Sequence, residues 1–182
     1  MVSEKIIFID ANIYLRFYDS SGNKFRGLLK TLVELKDQIF ITEQIYNEIQ
    51  RNKLSVSLKS FFNNSKLIGV IKKTTLPEHL DSGVDEKLKA WNEDRAEIIK
   101  DEERLKKEYS EIVSDTLHSI MASEDNVSNE LSKIFTSVHS ASSEEIITAR
   151  LRKELGNPPG KSSDPLGDQL IWEQFLTRYS TQ

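Results

Sequence analysis

An α/β fold built on a short parallel sheet is what this sequence predicts, and three observations carry the prediction. The run Ile6-Ile7-Phe8-Ile9 is continuously apolar, as in a strand covered on both faces, and it ends at Asp10 just ahead of a helix-like stretch. A second short apolar run, Gln38 to Ile41, follows an amphipathic segment. Short buried strands that alternate with helices favour parallel pairing, with the helices packed on the faces of the sheet.

Taken in order, Lys5 to Ile9 reads as a central strand and Asn12 to Phe17 as a short helical turn. Lys24 to Leu35 sets Phe25, Leu28, Leu29, Leu32 and Leu35 at helical spacing. After the strand Gln38 to Ile41, Thr42 is placed to cap a helix from Glu43 to about Asn52, its hydroxyl accepting an early backbone N–H. Leu54 to Ile71 fits a helix better than a strand, with Leu54, Leu58, Phe61, Phe62, Leu67, Ile68 and Ile71 as its apolar positions. Asp85 to Ile112 is the most charged block. Its narrow stripe of Leu88, Trp91, Ile98, Leu105, Tyr109 and Ile112 predicts one long helix or a helical pair, packed on that stripe and solvated elsewhere. Ser114 to Ser143 is rich in Ser, Asn and Thr and predicts short helices with mobile connections. Ser142 and Glu145 then stand at capping-box spacing before a helix from Ile146 to Leu155, which Gly156 and Pro158-Pro159 stop. Asp164-Pro165 reads as a cap followed by proline at the first helical position, opening a last helix through about Tyr179.

The whole chain narrows the chemistry. Its 182 residues suffice for one domain with a sizeable core. The absence of cysteine excludes disulfides and thiolate zinc sites, and His79, His118 and His139 lack metal-ligand spacing. Any metal is therefore expected to be a hard cation held by oxygen. No run approaches the roughly 20 apolar residues of a membrane helix, and the N-terminus lacks the layout of a signal peptide, so the expected compartment is the cytoplasm. A net charge of -4 argues against coating nucleic acid by bulk attraction. The charge is nonetheless uneven: residues 1–73 carry 12 Lys/Arg against 7 Asp/Glu, net +5, and the remainder 13 against 22, net -9. The first half can contact phosphates locally, whereas the second suits a solvated insertion or a protein-binding surface.

Asp10 stands at the C-terminal end of its strand, where open α/β sheets place their chemistry. Glu48 and Asp168 lie near helix starts able to converge on the same edge, which makes a candidate three-carboxylate cation site. Clustered carboxylates repel one another unless a cation sits among them. Each acid also has a simpler role open to it. Asp10 and Asp164 can cap helices, Glu48 can pair with Arg51 or Asn52, and Asp168 can face the positive end of its own helix. Arg51 and Lys53, just past the second acid, are candidate nucleic-acid contacts, with solvated surface as the alternative.

Three segments carry a family resemblance: Ile6 to Asn12 with Asp10-Ala11-Asn12, Ile41 to Glu48, and Gly156-Asn157-Pro158-Pro159-Gly160 followed by Gly167-Asp168-Gln169-Leu170-Ile171-Trp172. Together, over residues 5–52 and 145–179, they resemble PIN-domain (PIN-like) nucleases, and the last pair is similar to the signature of a subfamily with a long helical insertion. The resemblance implies a three-layer α/β/α sandwich with a short parallel sheet. It implies a single PIN-like domain over 1–182, with 54–144 as a mainly helical insertion. Asp10, Glu48 and Asp168 would then be the catalytic, metal-binding acids. Asn12 would support them near the metal or phosphate, with Asp164 and Thr42 as further supporting positions. The implied activity is phosphodiester hydrolysis with Mg²⁺ or Mn²⁺, with RNA ahead of DNA as the substrate.

Members of that family generally follow the third acidic helix with a further strand bearing a fourth acid, and this sequence reaches Gln182 without one. The expectation is therefore an N-terminal part of a longer polypeptide, incomplete at its C-terminus, or a reduced domain whose active site is incomplete, the open sheet edge being covered by a missing segment or a partner. The competing function is a non-catalytic PIN-like interaction module within a larger assembly. A haloacid-dehalogenase-like phosphatase is disfavoured because it needs a second Asp at the position of Asn12, whose amide cannot shuttle a proton.

Overall fold

The computed structural model describes residues 5–20, 23–65, 85–160 and 166–180. The elements run β1 (Ile7–Phe8), α1 (Ala11–Leu15), a 3₁₀ turn (Arg16–Tyr18), α2 (Asn23–Glu34), a second 3₁₀ turn (Lys36–Gln38), β2 (Ile39–Thr42) and α3 (Glu43–Ser65). Then follow α4 (Asp85–Ala122), α5 (Asn126–Ile134), β3 (Val138–His139), α6 (Ser143–Glu154) and α7 (Gly167–Ser180).

Among the described residues the three strands form one parallel sheet in the order β1-β2-β3. Ile7 and Phe8 pair with Ile39 and Phe40, and Ile41 and Thr42 pair with Val138 and His139. The expected α/β fold, with a short parallel sheet and many helices, is therefore present. Two differences from the sequence reading concern its middle. Ser114 to Ser143 does not consist only of short helices and connections, because α4 runs on to Ala122 and Val138–His139 is a strand of the sheet. The segment 54–144 accordingly contributes to the central layer as well as to the helical excursion. A two-residue strand has no periodicity of its own, and only its neighbour β2 defines it.

The core gathers Tyr14, Ile41, Ile45, Ile49, Leu131 and Ile134, all nearly inaccessible to solvent, from α1, β2, α3 and α5. Aromatic edges close it: Phe135 meets Tyr14 and Tyr46 at centroid separations of 5.3 and 5.8 Å. Helix α3 continues well past the expected end near Asn52, to Ser65, which absorbs the apolar residues Leu54 to Phe62 into one helix. Leu67, Ile68 and Ile71 lie outside the described residues.

Helix α4 spans 38 residues as a single helix, and among its described side chains only Ile120, near its C-terminal end, is buried. Its stripe is largely solvated, with Trp91, Ile98, Leu105 and Ile112 all exposed, and ion pairs such as Arg104–Glu108 and Lys106–Glu102 run along its surface. Such pairs, at one-turn spacing in solvent, support an exposed helix only weakly. A solvated arm forms as the charge pattern predicts, but the apolar stripe expected to pack is itself largely exposed.

Capping follows the residue types. Thr42, fully buried, accepts from the Ile45 N–H at 3.3 Å and so begins α3. Ser142 and Glu145 make both bonds of a capping box, at 3.2 and 2.8 Å, and Gly156 stops α6 at φ 70°. Asp164 and Pro165, expected to open the last helix, lie outside the described residues.

Candidate functional site

Asp10 leaves β1 and caps α1: its backbone is extended, and its Oδ1 accepts from the Asn12 N–H at 2.7 Å. The D-x-N spacing thus has a local cause, because the second residue of the helix presents an N–H that a carboxylate satisfies. The exposed Asn12 side chain remains on the outside of the turn. Glu48 lies in the second turn of α3 and is half-buried, and Asp168 is exposed in the first turn of α7.

Two packing contacts bring α7 to this edge. Phe175 of α7 meets Phe8 of β1 at 5.5 Å between ring centroids. Gly167 lies so close to α3 that a Cβ there would stand 2.6 Å from Gln44 Nε2. Gln44 precedes Glu48 by one helical turn on the same face, so the start of α7, with Asp168, is held beside Glu48.

The electrostatics record the convergence. Burial holds the Glu48 carboxyl above the usual carboxylate range, the Asp10 and Asp168 charges push it further up, and Arg51 acts in the opposite sense. Glu48 of α3 therefore senses the charges of the other two predicted acids, Asp10 at the end of β1 and Asp168 of α7. Their donor set is three carboxylates, which suits a hard divalent cation and no soft one. Among the described residues no three His, Cys, Asp or Glu side chains stand already grouped as a shared ligand set.

Other predicted residues fall into distinct places. Arg51 is exposed and near enough to Glu48 to act on its ionisation. Thr42 is engaged as a helix cap beneath the edge. Lys53 does not join the surface: it is 4% exposed, and its Nζ donates to Ser123 Oγ at 2.5 Å and to Ser128 Oγ at 3.4 Å. The expectation of a phosphate contact at Lys53 is corrected on that ground, because the ammonium is engaged by the hydroxyls of Ser123 and Ser128.

Sequence reasoning passed over Arg152, Glu173 and Gln169. Arg152 of α6 bonds through Nε to Glu173 Oε1 and through Nη1 to the Pro158 carbonyl at 3.0 Å. Gln169, next to Asp168, is buried. The flanking glycines and prolines were the available signal, but a charged pair 21 positions apart carries none.

A parallel α/β sheet with carboxylates drawn from three elements at the C-terminal end of its first strand is the class of protein that this geometry defines. The chain belongs to the PIN-like domain family, whose model matches residues 6–182, including the middle segment. PIN-like domains are typically metal-dependent nucleases. No match was found among curated proteins or among solved structures.

Proposed function

We propose that this protein is a metal-dependent nuclease that hydrolyses phosphodiester bonds, in RNA rather than DNA, through Asp10, Glu48 and Asp168. The observation that carries the reading is the close packing of Gly167 on Gln44, which sets Asp168 of α7 beside Glu48 of α3, with the Asp10 and Asp168 charges both raising the Glu48 carboxyl. Like charges are gathered beyond what the capping of α1 by Asp10 requires, which is the situation that a bound cation relieves.

Asp10, Glu48 and Asp168 would hold Mg²⁺ or Mn²⁺. When bound, such an ion supplies neutralisation of charge developing on the phosphate and acidification of water. The chain's own residues orient the arrangement. Asn12 fixes one Asp10 oxygen through its N–H, leaving the other for the ion, and Arg51 offers a guanidinium to a substrate phosphate. Thr42 supports the edge from below by beginning α3. Asp164 is proposed as a further supporting acid from the residue pattern.

Mn²⁺ titration by calorimetry tests the reading on the full chain and on Asp10→Asn and Asp168→Asn. Binding in the wild type that is lost in both variants is the expected result, with cleavage of single-stranded RNA lost alongside. Unchanged Mn²⁺ binding in both folded variants would sink it.

A further inference from the structure

We infer that Arg152 is a positioning residue for the site: with Glu173 it clamps the loop 156–160 so that Gly160 holds the Asp168–Gln169 turn in register. The inference rests on the reading of Asp168 as one of the three metal-sharing acids.

Arg152 lies in the last turn of α6, the helix packed against α7. Its planar fork serves two partners at once, Glu173 Oε1 through Nε and the Pro158 carbonyl through Nη1 at 3.0 Å. The pair is largely removed from water, with the Arg152 and Glu173 side chains 23% and 9% exposed, so it is screened little. Glu173 follows Asp168 by five residues on α7. One guanidinium therefore ties the helix that bears the third acid to the loop that precedes it.

At the far end of that loop Gly160 adopts φ 86°, in the region that favours glycine. A Cβ there would stand 2.7 Å from Gln169 Nε2 and 3.4 Å from both Cβ and Oδ2 of Asp168. The loop is thus seated directly on the acid. Gln169 is 1% exposed, and its Oε1 has no hydrogen-bond partner among the described residues, so packing against Gly160 rather than a bond at that oxygen restrains it. Carboxylates that share an ion must be held to fractions of an ångström, and Asp168 is exposed with no bond of its own to hold it among the described residues.

Lysine at 152 keeps the charge facing Glu173 but reaches only one acceptor, and replacing both partners by methionine leaves no unpaired buried charge. The test compares the wild-type chain with Arg152→Lys, Gly160→Ala and the double variant Arg152→Met/Glu173→Met. Three readouts are used: thermal melting, hydrogen-exchange protection of the Gln169 side-chain amide by NMR, and Mn²⁺ affinity by calorimetry. The expected result is cooperative melting in every variant, loss of Gln169 protection, and Mn²⁺ affinity lowered by about tenfold or more. Variants that melt lower yet keep both Gln169 protection and wild-type Mn²⁺ affinity would overturn the inference, leaving Arg152–Glu173 a structural pair. Lost protection in a protein whose wild type binds no Mn²⁺ would uphold the clamp and remove the metal reading of the acids.

Discussion

Helix α3 carries two desolvated ionisable side chains little more than a turn apart, in opposite situations. Lys53 is buried among neutral partners: it donates to Ser123 and Ser128, Ser128 is bonded to the Tyr18 hydroxyl at 2.9 Å, and the Asp125 charge partly offsets the burial that pushes Lys53 down. Glu48 is half-buried and faces two charges of its own sign. The first arrangement joins α3 to the end of α4 and the start of α5 through hydroxyls that accept from the ammonium. The second leaves repulsion standing. A fold is held by the kind of network that surrounds Lys53, whereas the repulsion at Glu48 is what the proposed cation would relieve.

Asp10→Asn sharpens the contrast most. Asparagine caps a helix as well as aspartate does, so folding is preserved while metal-dependent cleavage falls by roughly a hundredfold or more. An RNA cleavage assay beside a melting curve checks both halves, and wild-type cleavage would detach Asp10 from the site. At the other region, Lys53→Ala removes a buried stem and leaves Ser123 without its donor. The expected cost is about 3 kcal/mol in urea unfolding, with Mn²⁺ affinity of the folded protein unchanged. A comparable loss of Mn²⁺ affinity in that variant would break the division between the two regions.

Ser142→Ala, which dismantles the capping box of α6, is expected to cost about 1 kcal/mol in the same measurement. The smallest effect is also the one with an unusual sign. Because the Glu48 carboxyl is held above its ordinary value, the folded chain binds its proton more tightly than the unfolded chain does. Below the ordinary carboxylate range both states are protonated and Glu48 costs nothing. As pH rises through that range and beyond, the unfolded state ionises first and stability falls. Glu48→Gln should therefore raise the melting temperature at neutral pH in the absence of divalent cations, and the gain should vanish in acid. A variant that melts lower than wild type at neutral pH would show that Glu48 is a stabilising residue.

Much of the site was legible because its parts are local signals. Asp10 ends an apolar strand and caps the next helix, Thr42 begins α3, and Ser142 with Glu145 announces α6, each through neighbours within a few positions. The burial of Lys53 was illegible, since the hydroxyls that receive it come from Ser123 and Ser128, more than 60 residues on. β3 was missed for the same reason: Val138–His139 becomes a strand only beside Ile41 and Thr42. Helix α3 outran its expected end because Asn52, polar but compatible with a helix, was read as a boundary where none was imposed.

By itself the sequence determined the α/β class, the caps of α1, α3 and α6 and the solvated character of α4, because periodicity, capping and charge act over a few residues along the chain. Tertiary structure alone decided that Gly167 approaches Gln44 and carries Asp168 to Glu48, that Lys53 turns inward, and that Arg152 reaches Glu173 and Pro158 together. Those outcomes depend on which helices share a face, a matter of summed burial over the whole core that no short stretch of residues encodes.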